Sequence, residues 1–307
     1  MASEILFSGL SGDLALASIL HQEMNLLLAD RASMANHPAI SYLGDVAGRG
    51  STALEVGLVG LDGSDLMGSV AENGTTSNTA LTDASPAITI ARQALQYQIS
   101  ELATLTSSLG LDADRLAESM VGSAVMRLQE MIANVADDFT GSVGSTGVNM
   151  DVDNWFSAQY TLTQNSVPGP YVALLHPVQL TDWQSSLRSE TGPLQFNAPS
   201  NEALAIKGPG YAGNFGGVDI FTSSHVPTAN AGADRAGAMF GAGAIGYADG
   251  SVSAIRGAGD VVYPAGTKIV VEFERSAGYA YTAVVGSYYV GVSILEDGRG
   301  VSIITDA

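Results

Sequence analysis

Residues 112–138 carry the longest helical pattern in the chain. Leu116, Met120, Val121, Ala124, Leu128, Met131, Ile132 and Val135 recur at the helical period and line one face. Asp112 and Asp114 stand at its start, where the helix dipole favours acids, and Phe139-Thr140-Gly141 stops it. A helix of about 27 residues is about 40 Å long. Its apolar stripe has to be buried against a second layer, and most of the neighbouring segments read as strands. The chain is therefore expected to be an α+β protein.

The strands fall on both sides of this helix. Between Tyr42 and Pro86, Val46, Leu54, Val56, Leu58 and Val59 sit among Gly44, Gly48, Gly50, Gly57, Gly60 and Gly63. Glu72-Asn73-Gly74-Thr75-Thr76-Ser77-Asn78-Thr79 is a polar tip with the Asn-Gly turn signal, and Ala87-Ile88-Thr89-Ile90-Ala91 resumes a strand. A lone hairpin is marginally stable in water. This excursion is either an arm that needs a partner to lie on or a disordered insert. An amphipathic helix is expected over 13–29, with Leu16, Ile19, Leu20, Met24, Leu27 and Leu28 on one face and Gly12-Asp13 as its cap. It either packs on its own domain or reaches a neighbour.

After the long helix, 141–147 reads as a turn or loop and Asp151 to Asn165 as a second helix, with Trp155, Phe156, Tyr160 and Leu162 apolar. Pro168-Gly169-Pro170 marks a boundary. Tyr171 to His176 is a buried-type strand, and Pro177 opens a helix to Leu187 in which Leu180, Trp183 and Leu187 share a face. Residues 190–214 look loop-rich. Strands are expected at 217–222 and 238–248, the second ending in a turn at Asp249-Gly250. Ile269 to Phe273 and the long run from Tyr279 to Leu295 alternate, Asp297-Gly298-Arg299-Gly300 reads as a hairpin turn, and Val301 to Thr305 closes the chain.

Composition narrows the function classes. Charged residues are 14%, where an average soluble domain has about 25%, so other subunits are expected to cover much of the surface. The net charge of −19 leaves no Lys/Arg cluster, and Lys207 and Lys268 are the only lysines. Sequence-independent phosphate binding needs such clusters, so a nucleic-acid-binding role is not expected. The acidity also suits a halophilic or marine source. No cysteine is present, which excludes disulfides and thiolate metal sites. Met1-Ala2-Ser3-Glu4 lacks the basic start of a secretory signal, and no apolar run approaches the roughly 20 residues of a membrane helix. The chain is expected to be soluble and made in the cytoplasm.

The short motifs point to structure rather than chemistry. Gly241-x-Gly243-x-x-Gly246 has dinucleotide-fingerprint spacing, but that motif needs a helix after it. Here Tyr247-Ala248-Asp249-Gly250 follows, so close packing in a sheet is the expected reading. Asp151-x-Asp153-Asn154 resembles the start of a calcium loop, yet Phe156 stands where that loop needs Gly, and helix capping is favoured. His21, His37, His176 and His225 are widely spaced, and His176-Pro177 suits a strand-to-helix corner. Asp137-Asp138 are expected in solvent, Trp155 and Trp183 in the core. Asn73-Gly74-Thr75 is a glycosylation sequon by letter only. No catalytic, cofactor-binding or metal-binding residues are expected, and the chain is not read as an enzyme.

The Gly-Gly-led strand Phe215-Gly216-Gly217-Val218-Asp219-Ile220-Phe221-Thr222 runs into Ser223-Ser224-His225-Val226-Pro227, and the small-residue stretch Gly241 to Ala248 follows. With the segments 171–187 and 270–305, this order resembles the major capsid proteins of tailed bacteriophages, whose fold is shared by encapsulin shells and the floor of herpesvirus capsids. The resemblance implies an N-terminal arm at 1–32, an E-loop at 33–90, and a P-domain over 91–168 with its spine helix at 112–138. It further implies an A-domain at 169–268, P-domain return strands at 269–298 and a last strand at 299–307 rejoining the A-domain.

The implied function is self-assembly as pentamers and hexamers into an icosahedral virion shell around double-stranded DNA, which the protein meets only by non-specific proximity. A separate scaffolding protein, a portal and a decoration protein are the implied partners, with no membrane. The scaffold is expected to be separate because the mature-like pattern begins almost at Met1. Some relatives cross-link through an E-loop lysine, an Asn and a Glu. The E-loop region here has no lysine, and Tyr281 to Tyr289 holds neither Asn nor Glu, so covalent cross-links are not expected. The alternatives are an encapsulin-like nanocompartment, a Gly-rich enzyme or extracellular β-protein, and a tail protein.

Overall fold

Two sheets carry the fold, and the chain passes between them repeatedly. The computed structural model describes residues 34–59, 69–70, 72–76, 83–100, 113–189, 199–207, 210–251, 268–276 and 278–306. The expected helix over 13–29, and with it the leading segment 1–32, lies outside these residues. The chain enters on β1 (Ile40–Asp45), goes out through β2 (Ala53–Glu55) and β3 (Leu58–Val59), and returns through β4 (Asp83–Ala84) and β5 (Ala87–Thr89). β6 (Ala91–Ser100) leads to α1 (Ala113–Asp137), then β7 (Ser142–Gly144), α2 (Val152–Gln164), β8 (Tyr171–Leu175) and α3 (Pro177–Ser189). Next come α4 (Asn201–Lys207), β9 (Tyr211–Phe215), β10 (Val218–Thr222), β11 (Thr228–Ala229) and β12 (Asp234–Phe240). β13 (Ile245–Gly250), β14 (Ile269–Ser276), β15 (Tyr281–Ile294) and β16 (Gly300–Asp306) follow.

The first sheet is organised by the 14-residue β15. β6 pairs with its residues 281–290, β14 with 281–288 and β13 with 289–294. A strand has two edges and β6 overlaps both other registers, so β13 and β14 share the opposite edge. β1 then adds to β13 in parallel. The second sheet has the order β7-β16-β12-β8-β10-β9, with β11 also beside β12.

The helix α1 spans both sheets. Met120, Val121, Val125, Leu128, Ile132, Ala133 and Ala136 are buried in one core with Val284, Tyr288 and Val290 of β15 and Ala238 and Phe240 of β12. Its carboxyl end is tied to the second sheet, where the Ser302 hydroxyl donates to the Asp137 carbonyl at 3.0 Å. Beyond it, Phe139 packs against Gly300 so closely that a Cβ there would stand 2.1 Å from the ring. A second core lies across the other face of the second sheet. It gathers Trp155 and Leu162 of α2, Trp183 of α3, Phe215, Ile220, Met239 and Ile303.

Several expectations are corrected. The strand expected over 238–248 is two strands, β12 and β13, in different sheets. Gly241 breaks it: a Cβ there would meet Val167 at 2.3 Å, and Gly243 adopts φ +81. Asp249-Gly250 is not a turn but the end of β13. Asp297 to Arg299 is a 3-10 turn rather than a hairpin turn, because it carries the chain from the first sheet to the second. These two crossings bond to each other. Gly241 N donates to Arg299 O at 3.0 Å, and Leu295 N to Ala244 O at 2.8 Å. The loop-rich 190–214 contains α4, whose start is capped by the Ser200 hydroxyl accepting from Ala203 N, and β9. Tyr42, expected to open the excursion, lies inside β1 against β13, and the outgoing ladder begins only at Ala53.

Candidate assembly surface

The hairpin is anchored at its root alone among the described residues. Its ladder pairs Ala53 with Thr89, Leu54 with Ile88 and Glu55 with Ala87, then Leu58 with Ala84 and Val59 with Asp83. Leu54 and Ile88 are buried with Ala248 and Leu295 of the body, and Leu43, Val46, Val56 and Ile90 pack around them. Gly291 of β15 admits the returning strand, since a Cβ there would stand 2.3 Å from the Thr89 carbonyl oxygen. Further out, the described residues 69–70 and 72–76 are all exposed, Val70 included.

β6 continues this surface into the body. One edge pairs with β15, and among the described residues no strand pairs with the other. Its half-buried side chains face α1: Tyr97 OH lies 2.9 Å from Ser119 Oγ, and Arg127 donates to Gln93 at 3.1 Å. Arg92, Ala94, Gln96 and Gln98 are exposed. An open ten-residue edge is a template for strand addition. Ile206 in α4 and Tyr279 before β15 stand in water, at 84% and 81% exposure.

Two buried aspartates fix the first described segment to the body, and each takes one of the chain's two lysines. Asp219 on β10 pairs with Lys207 of α4 and accepts from Asn214 at 3.0 Å and Tyr211 at 3.2 Å. His37 reaches it from the turn before β1. Ala39 N donates to His37 Nδ1 at 3.1 Å, so Nε2 holds the proton and donates to Asp219 Oδ2 at 3.0 Å. Burial pushes the Asp219 carboxyl up, but the bonds from Lys207, Asn214 and His37 and the lysine charge outweigh it and hold the group at about 2. At the second node Asp249, 1% exposed, pairs with Lys268 and accepts from Tyr42 OH at 2.6 Å. The Lys268 ammonium also lies 4.8 Å from the centre of the Tyr42 ring. Both lysines of the chain are thus paired with a buried carboxylate.

Replacing Asp219 with Ala is expected to destabilise the chain by about 3 kcal/mol, since it leaves His37, Asn214, Tyr211 and a half-buried Lys207 without their acceptor. The pH dependence has two steps. Burial lowers the His37 imidazole against the pull of Asp219. Below about pH 6.5 the unfolded imidazole therefore takes a proton that the folded one resists, and stability falls. The Asp219 contribution is complete above about pH 4 and is lost as the pH drops towards about 2. Denaturant titrations across this range should show both steps. A flat profile from about pH 7 to 4.5 would contradict the role given to His37.

Gly241 and Gly243 lie in the crossing between sheets, and Gly246 lies inside β13, so strand rather than helix follows. Asp151 caps α2, its Oδ1 accepting from Asn154 N at 2.7 Å. His21 lies outside the described residues. His176 sits at the strand-to-helix corner, where its Nδ1 accepts from Val178 N, and His225 is exposed beyond β10. Trp155 and Trp183 stack in the core with ring centres 5.0 Å apart. Asp138 is exposed, while Asp137 is half-buried, its pKa raised by burial and then by Asp138. No cluster of metal-ligating side chains occurs among the described residues. No described helix is long and apolar enough to cross a membrane.

Sequence reading missed the buried polar residues. Gln179 of α3 is fully buried: its amide nitrogen lies 2.8 Å from Thr305 Oγ1 and 3.0 Å from the Arg235 carbonyl, and its oxygen accepts from His176 N. Only its place one residue before the apolar Leu180-x-x-Trp183 face hinted at burial.

No family model matches this chain, and no curated protein matches it. Solved structures do. The capsid of Ralstonia phage GP4 aligns at TM-score 0.58 and 14% identity, covering 88% of this chain and 87% of that one. The capsid of Cyanophage P-SCSP1u aligns at 0.56 and 13%, covering 87% and 86%. The holo-SrpI encapsulin complex from Synechococcus elongatus PCC 7942 aligns at 0.60 and 12%, covering 87% and 85%. The chain has the fold of phage capsid proteins and of an encapsulin.

Proposed function

We propose that this chain is a shell subunit, the major capsid protein of a tailed phage, assembling as pentamers and hexamers into an icosahedral shell around double-stranded DNA. One observation carries the reading. A fold found in capsid structures, matched over nearly nine-tenths of both chains, here bears a hairpin fixed at its root with an exposed outer part. In this reading the hairpin lies on a neighbouring subunit, and the segment 1–32 adds a further contact. The region 91–168 with 269–298 forms one domain around α1, while 169–268 and 299–307 form the other. The protein works by association rather than catalysis and resides in the virion. A separate scaffolding protein, a portal and a decoration protein are its other partners. The acidic wall keeps packaged DNA from adhering, because like charges repel.

The net charge of −19 opposes assembly and sets its salt dependence. The screening length is about 10 Å at 0.1 M salt and about 3 Å at 1 M. Raising the ionic strength is therefore expected to shift purified chain from small species to closed shells, read by sedimentation and negative-stain microscopy. A chain that stays monomeric across concentration and salt would sink the proposal. The likeness to the encapsulin complex supports a second reading, a nanocompartment. Shells isolated from the native source with a cargo enzyme inside, rather than DNA, would favour it.

A further inference from the structure

We propose that Asn73 is a site of spontaneous modification, converted through Gly74 into aspartate and β-linked aspartate, and that docking of the hairpin tip suppresses the conversion. The first half stands on the chain alone; the second rests on the shell reading. The Gly74 backbone nitrogen attacks Cγ of the Asn73 side chain. An N–Cγ bond forms, the Cγ–Nδ2 bond breaks, and ammonia leaves with the proton from the Gly74 nitrogen. The resulting succinimide takes up one water at either carbonyl. Opening at one carbonyl gives aspartate; opening at the other gives a β-linked residue with one extra carbon in the backbone. Water is the only co-reactant.

Two observations select this residue. Asn73-Gly74 is the only Asn-Gly pair in the chain, and every other asparagine precedes a residue with a side chain. Glycine leaves the attacking nitrogen unshielded and its backbone free to reach the ring geometry. The structure supplies the second observation: residues 72–76 lie outside any strand or helix, and all five are exposed. Other asparagines are held. Asn214 is in β9 with its amide on Asp219, Asn230 donates to Thr146 and Asp234, and Asn165 donates to the Gly298 carbonyl. Of the Asp-Gly pairs, which undergo slower ring closure, Asp249-Gly250 is buried in β13 and Asp297 accepts from Thr140 N, while Asp62-Gly63 lies outside the described residues.

Conversion replaces a neutral amide with a carboxylate, taking the net charge from −19 to −20 per copy. It also kinks the tip where the backbone has lengthened. A tip docked on a neighbour is held away from the ring geometry, so free subunits age while assembled ones are protected. An aged copy would bring an added negative charge to an interface between acidic chains.

The test incubates purified full-length chain at mildly alkaline pH and follows it by isoelectric focusing and peptide mapping. A new form shifted by one negative charge is expected, with the change mapped to Asn73. Gly74→Ala and Asn73→Gln chains should lose it, with tryptophan fluorescence confirming that they fold. Absence of the acidic form in the wild type, or its full persistence in Gly74→Ala, overturns the site. Assembled shells incubated in parallel should convert more slowly than free chain. Equal rates overturn the protective docking while leaving the site intact. Failure to form shells at all removes the shell reading and the docking with it, but not the site.

Discussion

Excision of the outer hairpin, with residues 58–84 replaced by a short Gly/Ser turn, leaves a folded chain that closes no shells: this is the expected result. The cut spares the root. Leu54 and Ile88 stay buried against Ala248 and Leu295, and the Ala53–Thr89 and Glu55–Ala87 pairs remain. Both cores lie elsewhere, around α1 and around Trp155. Unfolding stability should therefore change by less than about 1 kcal/mol, as for alterations away from packed features. Assembly should be lost, because the excised residues include the exposed outer part of the hairpin that the proposal lays on a neighbour. Thermal melts and negative-stain images of the same preparation read both outcomes. Shells of normal size from the excised chain would show that the hairpin is not an interface element.

Trp155→Ala has the opposite signature, loss of the fold rather than of assembly. The indole is fully buried and meets Trp183 at 5.0 Å and Phe215 at 5.8 Å between ring centres. Removing a buried aromatic of this size destabilises by about 4 kcal/mol, a large share of a total of roughly 5–15 kcal/mol. Urea unfolding should show the loss directly, and soluble yield should drop. Phe156, the next residue, is 41% exposed, and its ring lies 6.0 Å from that of Phe215. Its replacement by Ala is expected to change stability by about 1 kcal/mol or less. Equal losses for the two would mean that α2 is not packed in this orientation.

The long-period elements were legible in the sequence because their signals repeat. Eight apolar residues at helical spacing announce α1, the alternation from Tyr279 to Leu295 announces β15, and Asp151 announces its helix through a local cap. What was hidden depends on distant contacts. The parallel pairing of β1 with β13 joins residues some 200 positions apart, so Tyr42 looked like part of the excursion instead of a sheet residue. The break between β12 and β13 is enforced by Val167 and Pro168 pressing on Gly241, and no window around Gly241 contains them. β9 buries Tyr211, Gly213 and Phe215, and a glycine at its centre conceals the alternation. Asp219 and Gln179 are polar and buried only because four residues from three other places converge on each. Of the assembly surface, the polar tip and its Asn-Gly turn could be read directly. The root could not, because it is made by Gly291 and Ala248 far along the chain.

Cryo-electron microscopy of particles formed by this chain would trace where residues 53–89 rest. Closed shells are expected, in which each hairpin lies across the body of an adjacent copy with its root still on Ala248 and Leu295 of its own chain. A chain that remains monomeric, or a hairpin folded back over its own α1 and β6 in every copy, would contradict it.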